Sequence, residues 1–88
     1  MELTDETFPQ GDADKRAVLA YDSKVGISVD NEDIFTIDGD KNPYFMFVTG
    51  IRVLPTIIVR EKGDNKGSLV GDLSKIKEFL KHHEICST

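Results

Sequence analysis

Apolar residues fall along this chain in short blocks, separated by charged or glycine-containing stretches. Arg16-Ala17-Val18-Leu19-Ala20-Tyr21 has strand length and is closed by the turn-type residues Asp22-Ser23-Lys24. Ile34-Phe35-Thr36-Ile37 predicts a second, short buried strand. The most distinctive block is Gly50-Ile51-Arg52-Val53-Leu54-Pro55-Thr56-Ile57-Ile58-Val59, an apolar and largely β-branched run. Proline cannot donate to a sheet ladder, so Pro55 marks the head of the strand over 56–60. A proline between a tight loop and a buried strand is also where a cis peptide bond is expected. Residues 61–67 read as a charged, glycine-punctuated hairpin loop, after which Ser68-Leu69-Val70 returns antiparallel.

Two stretches carry helical signals. Asn42 suits a helix cap and Pro43 the first helical position, so Tyr44-Phe45-Met46-Phe47-Val48 predicts a short helix stopped by Gly50. Five consecutive large apolar residues on so short an element cannot all face one core. Some must point outward or be covered by something else. Near the C-terminus, Leu73, Ile76, Phe79, Leu80 and His83 recur at helical spacing, with Lys75, Lys77, Glu78, Lys81 and His82 mainly opposite. This helix is expected over 73–84, opened by Asp72 or Ser74, with late lysines and histidines suiting its negative end. At the other terminus, Thr4 or Asp5 suits the cap of a short helix that Pro9 and Gly11 interrupt. Val25-Gly26-Ile27-Ser28-Val29 has two readings. It forms a hairpin with 18–21, or it is a compressed crossover leading to 34–37, the preferred reading.

Composition narrows the class. Eighty-eight residues make one domain, 1–88, without room for a second core. The net charge of −5 argues against nucleic acid and anionic lipid as partners. No apolar run approaches the roughly 20 residues of a membrane helix. The N-terminus, Met1-Glu2-Leu3-Thr4-Asp5-Glu6, is acidic and has no apolar core of a secretory signal, so a cytoplasmic location is expected. The single cysteine, Cys86, cannot form an internal disulfide.

Several blocks together resemble one family. Ile34-Phe35-Thr36-Ile37-Asp38, Asn42-Pro43, Gly50-Ile51-Arg52, Leu54-Pro55-Thr56, Gly71, and Leu73-Ser74-Lys75 with Lys77-Glu78-Phe79-Leu80 follow the order and approximate spacing of a thioredoxin from its third core strand onward. Leu3-Thr4-Asp5-Glu6-Thr7-Phe8 resembles the start of bacterial thioredoxins. The likeness covers 34–80 well and 3–21 fairly, and it fails between. It implies a reduced thioredoxin-like α/β domain, a mixed sheet of about four strands with flanking helices near 43–49 and 73–84.

The departure falls on the family's active site. A thioredoxin carries Trp-Cys-Gly-Pro-Cys after the strand that matches 18–21, and its first thiol attacks as a thiolate. Here that region reads Asp22-Ser23-Lys24-Val25-Gly26-Ile27-Ser28, without cysteine or tryptophan. One cysteine cannot make a CxxC, so two-thiol exchange is excluded. What the resemblance leaves is the peptide-docking edge, where the residue before the proline pairs its backbone with an extended substrate. The matching residue is Leu54, flanked by Val53, Pro55 and Thr56. Pro55 also shapes the turn whatever the function, and Gly71 marks either the binding groove or a packing contact. The expected function is therefore a redox-inactive binding or assembly module. Its contact surfaces are residues 53–56 with Gly71 and a patch including Tyr44, Phe45 and Phe47. It calls for no cofactor and for a protein partner or a second copy. A single-thiol oxidoreductase acting through Cys86 and a shortened thioredoxin product are the alternatives. Losing the long helix should also uncover one sheet face, which a second copy, another protein or a collapsed 25–29 segment would cover.

Other constellations are weaker. Asp38-Gly39-Asp40-Lys41-Asn42 opens like a calcium loop, but Pro43 and Thr49 stand where Gly and Glu are needed. His82, His83, Glu84 and Cys86 cluster in sequence, yet adjacent helical histidines diverge by about 100°. They read as a solvated helix end. Lys62, Lys66, Lys75, Lys77 and Lys81 make the C-terminal half basic, a solvated surface or one that orients an acidic partner.

Overall fold

The computed structural model describes residues 2–11, 15–24, 34–71 and 73–83. Its strands are β1 (Glu2–Leu3), β2 (Arg16–Tyr21), β3 (Ile34–Asp38), β4 (Thr56–Glu61) and β5 (Asp64–Val70). Helix α1 (Pro43–Thr49) joins β3 to β4, and α2 (Ile76–His82) follows a 3₁₀ turn at Leu73–Lys75. The strands form one mixed sheet in the order β1-β3-β2-β4-β5. β1, β3 and β2 are parallel, and β4 is antiparallel to both β2 and β5. Residues 25–33, on which the hairpin and crossover readings differ, lie outside the described residues.

The described sheet has five strands where about four were expected. The added strand, β1, pairs Glu2 with Thr36 and Leu3 with Ile37. Two residues carry no alternation, so the pattern does not announce them. Instead, the Glu2 carboxylate holds the strand, accepting from Thr36 Oγ1 at 2.6 Å and from the Tyr21 hydroxyl at 2.8 Å. The short helix expected after Thr4 is instead a turn followed by a 3₁₀ turn at Phe8–Gly11. That turn buries Phe8, whose ring meets Phe45 edge-on at 4.7 Å.

The sheet is covered on both faces. Val18, Ala20, Ile37 and Ile58 pack with Leu3, Phe8, Phe45 and Ile51 on the α1 side. Ala17, Leu19, Ile34, Ile57 and Val59 pack with Leu80 on the other, where Ile76, Phe79 and Leu69 complete the cluster. A strand buried on both sides shows as a continuous apolar run, as in Ala17-Val18-Leu19-Ala20. Of the covers expected for the face left by a missing long helix, the 25–29 segment lies outside the described residues. All of these central-strand residues are buried within the single chain, and α2 supplies part of the cover.

Three local expectations also change. Asn42 does not cap α1 with its side chain. The Asp5 carboxylate does so from the N-terminal turn, accepting from Tyr44 N at 3.1 Å and Phe45 N at 2.8 Å. Asn42 instead ties two loops, donating to the Asp38 carbonyl and accepting from Asp5 N. A cap supplied from about forty residues away is invisible to local pattern. Second, residues 61–67 are not a long loop. Lys62 (φ 55) and Gly63 (φ 78) form a tight turn, and β5 begins at Asp64, with a bulge opposite Val59 and Arg60. Both turn residues take the left-handed conformation that a two-residue hairpin of the I′ kind demands. The polar residues of β5 read as loop because an edge strand does not need apolar alternation. Third, α2 spans Ile76–His82, shorter than 73–84. Asp72 and residues 84–88 lie outside the described residues.

Candidate binding site

The loop between α1 and β4 is set by fixed points at both ends. Gly50 ends α1 in the left-handed conformation (φ 74) and donates its N–H to the Met46 carbonyl. Ile51 is buried in the α1-side cluster, while Arg52 and Val53 are exposed. Leu54 turns its side chain inward against that cluster. A Cβ added to Gly39 would lie 2.8 Å from Leu54 Cδ1 and 3.2 Å from Met46 Sδ, so Gly39 makes room for Leu54. The Leu54–Pro55 peptide is cis. Thr56 is buried, its hydroxyl donating to the Val53 carbonyl, and Gly71 N–H donates to the Pro55 carbonyl at 2.9 Å. Gly71 has φ +80 and open space around its missing Cβ, so conformation and not packing favours glycine there. The Leu54 backbone N–H and C=O make no hydrogen bond to a described residue.

Beside this loop runs a groove of about 500 Å³, walled by residues 49–53 and by β5, with Thr56 and Ile58 beneath. One end is bridged by Asn65 Nδ2, which donates to the Thr49 carbonyl at 2.9 Å. The other lies at Val53 and Val70, the latter paired with Thr56 across the ladder. Among the described residues, the large apolar side chains left exposed are Tyr44 (52%), Phe47 (85%), Val48 (39%), Val53 (53%) and Val70 (54%). Three sit on the outer side of α1 and two flank Pro55. Phe45, expected in the α1 patch, is fully buried and belongs to the core. Its position on the helix turns it toward Phe8.

Around Ser23 and the loop after β3, the described polar groups bond to one another. Asp40 Oδ2 accepts from Ser23 N at 2.9 Å and Ser23 Oγ at 3.0 Å, and these bonds draw its carboxyl below the ordinary carboxylate value. Asp22 Oδ1 accepts from Lys24 N. Asp38 Oδ1 accepts from Asp40 N and Lys41 N, and Gly39 N–H donates to the Tyr21 carbonyl. At the end of α2, the His83 ring meets Phe79 at 4.7 Å, tilted by 58°, and lies against Gly67, where a Cβ would come within 2.5 Å of it. Burial, then the charges of His82 and Lys15, push its imidazole below 6.5. No group of three His, Cys, Asp or Glu suited to a metal occurs among the described residues, and Glu84 and Cys86 lie outside them. Among the same residues, no helix is long and apolar enough to cross a membrane.

The fold is thioredoxin-like. The chain superposes on Malassezia sympodialis thioredoxin with a TM-score of 0.74 at 17% identity, over 93% of this chain and 88% of that one. A mutant Entamoeba histolytica thioredoxin gives 0.73 at 12%, over 93% and 97%. A designed protein gives 0.73 at 17%, over 99% and 94%. At these identities the likeness is one of fold. No family model and no curated protein matches the sequence.

Pattern reading missed Val70 and Arg52 as parts of this surface, and Asp5 as the cap of α1. Val70 was not legible from the turn alone. A two-residue turn at Lys62-Gly63 by itself would set Leu69 opposite Thr56, and only the bulge near Val59 and Arg60 brings Val70 there. Asp5 carried no local signal.

Proposed function

We propose that the chain is a binding or assembly module that keeps the peptide-facing edge of the thioredoxin-like fold without its dithiol chemistry. The observation that carries this reading is the distribution of exposed apolar side chains. Tyr44, Phe47 and Val48 line the outside of α1, while Val53 and Val70 flank Pro55. A chain this acidic gains nothing in solubility from a phenylalanine 85% exposed on a seven-residue helix. The Leu54 backbone, without a hydrogen bond to a described residue, supports the same reading, because an extended segment can add there by main-chain hydrogen bonds. Contacts are assigned to Val53, Leu54 through its backbone, Pro55 and Gly71, and to Tyr44 and Phe47. Thr56 supports the loop from within. The partner is a protein or a second copy, with no cofactor required. A cytoplasmic setting belongs to this reading, in keeping with the acidic composition and single cysteine.

Sedimentation velocity over a wide concentration range, with binding of an apolar dye, tests it. Self-association or dye binding that falls in Tyr44→Ser/Phe47→Ser is expected. A strict monomer with no dye-binding patch would count against it. Insulin reduction separates the enzymatic alternative. Turnover abolished by Cys86→Ser would favour a single-thiol oxidoreductase, whereas no turnover is expected here.

A further inference from the structure

We infer that the groove between residues 49–53 and β5 receives an extended acidic segment of a partner protein, its carboxylates meeting Arg52 and Lys66 and its apolar side chains meeting Val53 and Val70. This rests on the binding-module reading and adds the chemistry of the partner.

The chain holds 16 acidic and 11 basic residues, yet among the described residues lining the groove are Arg52 and Lys66 and no carboxylate. Both cations are exposed, and neither has an ion pair or hydrogen bond with a described residue. An acidic chain has carboxylates to spare for neutralising surface cations, and none of the described ones stands along the walls. Field lines concentrate in a concave, low-dielectric cleft, so two unneutralised cations there attract anions more strongly than the same charges on a convex surface.

Shape then favours a peptide over a small anion. The groove follows β5 from Asn65 to Val70, and five strand steps span roughly 17 Å. Its lining alternates kinds of contact: Val53, Ile58 and Val70 are apolar, Ser68 offers a hydroxyl, and Arg52 and Lys66 are cationic. The bridge from Asn65 to Thr49 closes one end. The other opens toward Pro55, beside the Leu54 backbone, which has no hydrogen bond to a described residue. Each wall carries one cation and one apolar residue, Arg52 with Val53 and Lys66 with Val70, so an extended segment that presents alternate side chains to opposite walls matches them when each of its two sides carries both acidic and apolar residues.

A library of randomised decapeptides displayed on phage, selected in parallel on the native chain and on Arg52→Glu/Lys66→Glu, tests the inference. The native chain should enrich sequences with Asp or Glu among apolar residues. Synthesised with a fluorophore, these should bind the reversed variant about tenfold more weakly by anisotropy, the size expected of two exposed charge pairs. The reversed variant should enrich Lys or Arg instead, and amide shifts on binding should fall on residues 49–53 and 65–70. Arg52→Gln/Lys66→Gln, with far-ultraviolet dichroism on both variants, guards against a folding defect and should lose affinity in the same direction. Charge-neutral sequences that bind every form equally, with shifts at 53–56 or on α1, would overturn the groove assignment and leave the binding-module reading standing. Shifts confined to other surfaces, or a groove filled by a second copy of the chain, would also overturn it. No enrichment from a chain that stays monomeric and binds no apolar dye would overturn both.

Discussion

Two loops meet at the same end of the sheet, and they treat their polar groups in opposite ways. Residues 38–42, with 22–24 beside them, satisfy their own donors. Asp38, Asp40 and Asn42 accept from or donate to neighbouring backbone and Ser23, leaving a closed turn. Residues 50–54 leave an exposed cation, an exposed valine and a main-chain step at Leu54 without a hydrogen bond to a described residue. In the first loop the polar groups serve each other. The two loops are not independent, because Gly39 of the closed loop yields the space that Leu54 of the open loop fills. A self-satisfied turn thus positions an unsatisfied one.

The largest test of this contrast lies on α1, whose inner side serves the core and whose outer side joins the open surface. Phe45→Ala should cost about 3–5 kcal/mol in urea unfolding, since a buried ring packed on Phe8 leaves a cavity. Phe47→Ala should stay within about 0.5 kcal/mol, as befits an exposed position. Equal costs would erase the distinction between the two sides.

Next comes the coupling between the loops. Gly39→Ala should cost about 1–3 kcal/mol by overpacking against Leu54 and Met46, and should shift the Leu54 methyl resonances. Leu54→Ala in the same chain should recover part of that cost, giving a non-additive double-mutant cycle. Additive costs would separate the loops.

Smaller still, Asp5→Ala should lose about 1 kcal/mol, the usual worth of a helix cap, although Asp5 lies in another part of the chain. Asn42→Ala should leave the α1 N–H groups capped.

Two titrations give the finest resolution. Burial, then the hydrogen bond and charge of Glu2, raise the Tyr21 phenol from 10.0 to about 12. The fold favours the protonated phenol, so its contribution to stability is complete below pH 10 and is lost as pH rises toward about 12. Ultraviolet titration should detect the shift, and Glu2→Gln should reduce it. His83 runs the other way. Its lowered pKa means the fold favours the neutral ring, so that contribution is present above pH 6.5 and lost as pH falls through the depressed value. Gly67→Ala should displace the ring, and NMR titration should then find its pKa closer to 6.5.

Much of this was legible in the residues. The apolar run at 17–20 marked a strand buried on both sides. Pro55 marked the head of β4, Gly50 the end of α1, and the spacing of Ile76, Phe79 and Leu80 the buried side of α2. Each signal is local, because strand and helix periods, a missing N–H and a left-handed φ are properties of a few consecutive residues. The site was legible only in part. Residues 53–56 were found from the proline, whereas Val70 and the groove required knowing which residues of β5 lie opposite β4.

The chain's order of residues by itself determined β2, β3, α1, β4 and the core of α2, their sequence along the backbone and the absence of a cysteine pair. Those facts depend on short-range sterics and on a count of sulfur atoms. Tertiary structure alone decided that Asp5 caps α1, that β1 joins the sheet, that Phe45 faces inward while Phe47 faces out, and that Leu54 leans on Gly39. Each of those pairs groups far apart in the chain, or chooses between sides of one element, and is set by where the backbone brings them in space.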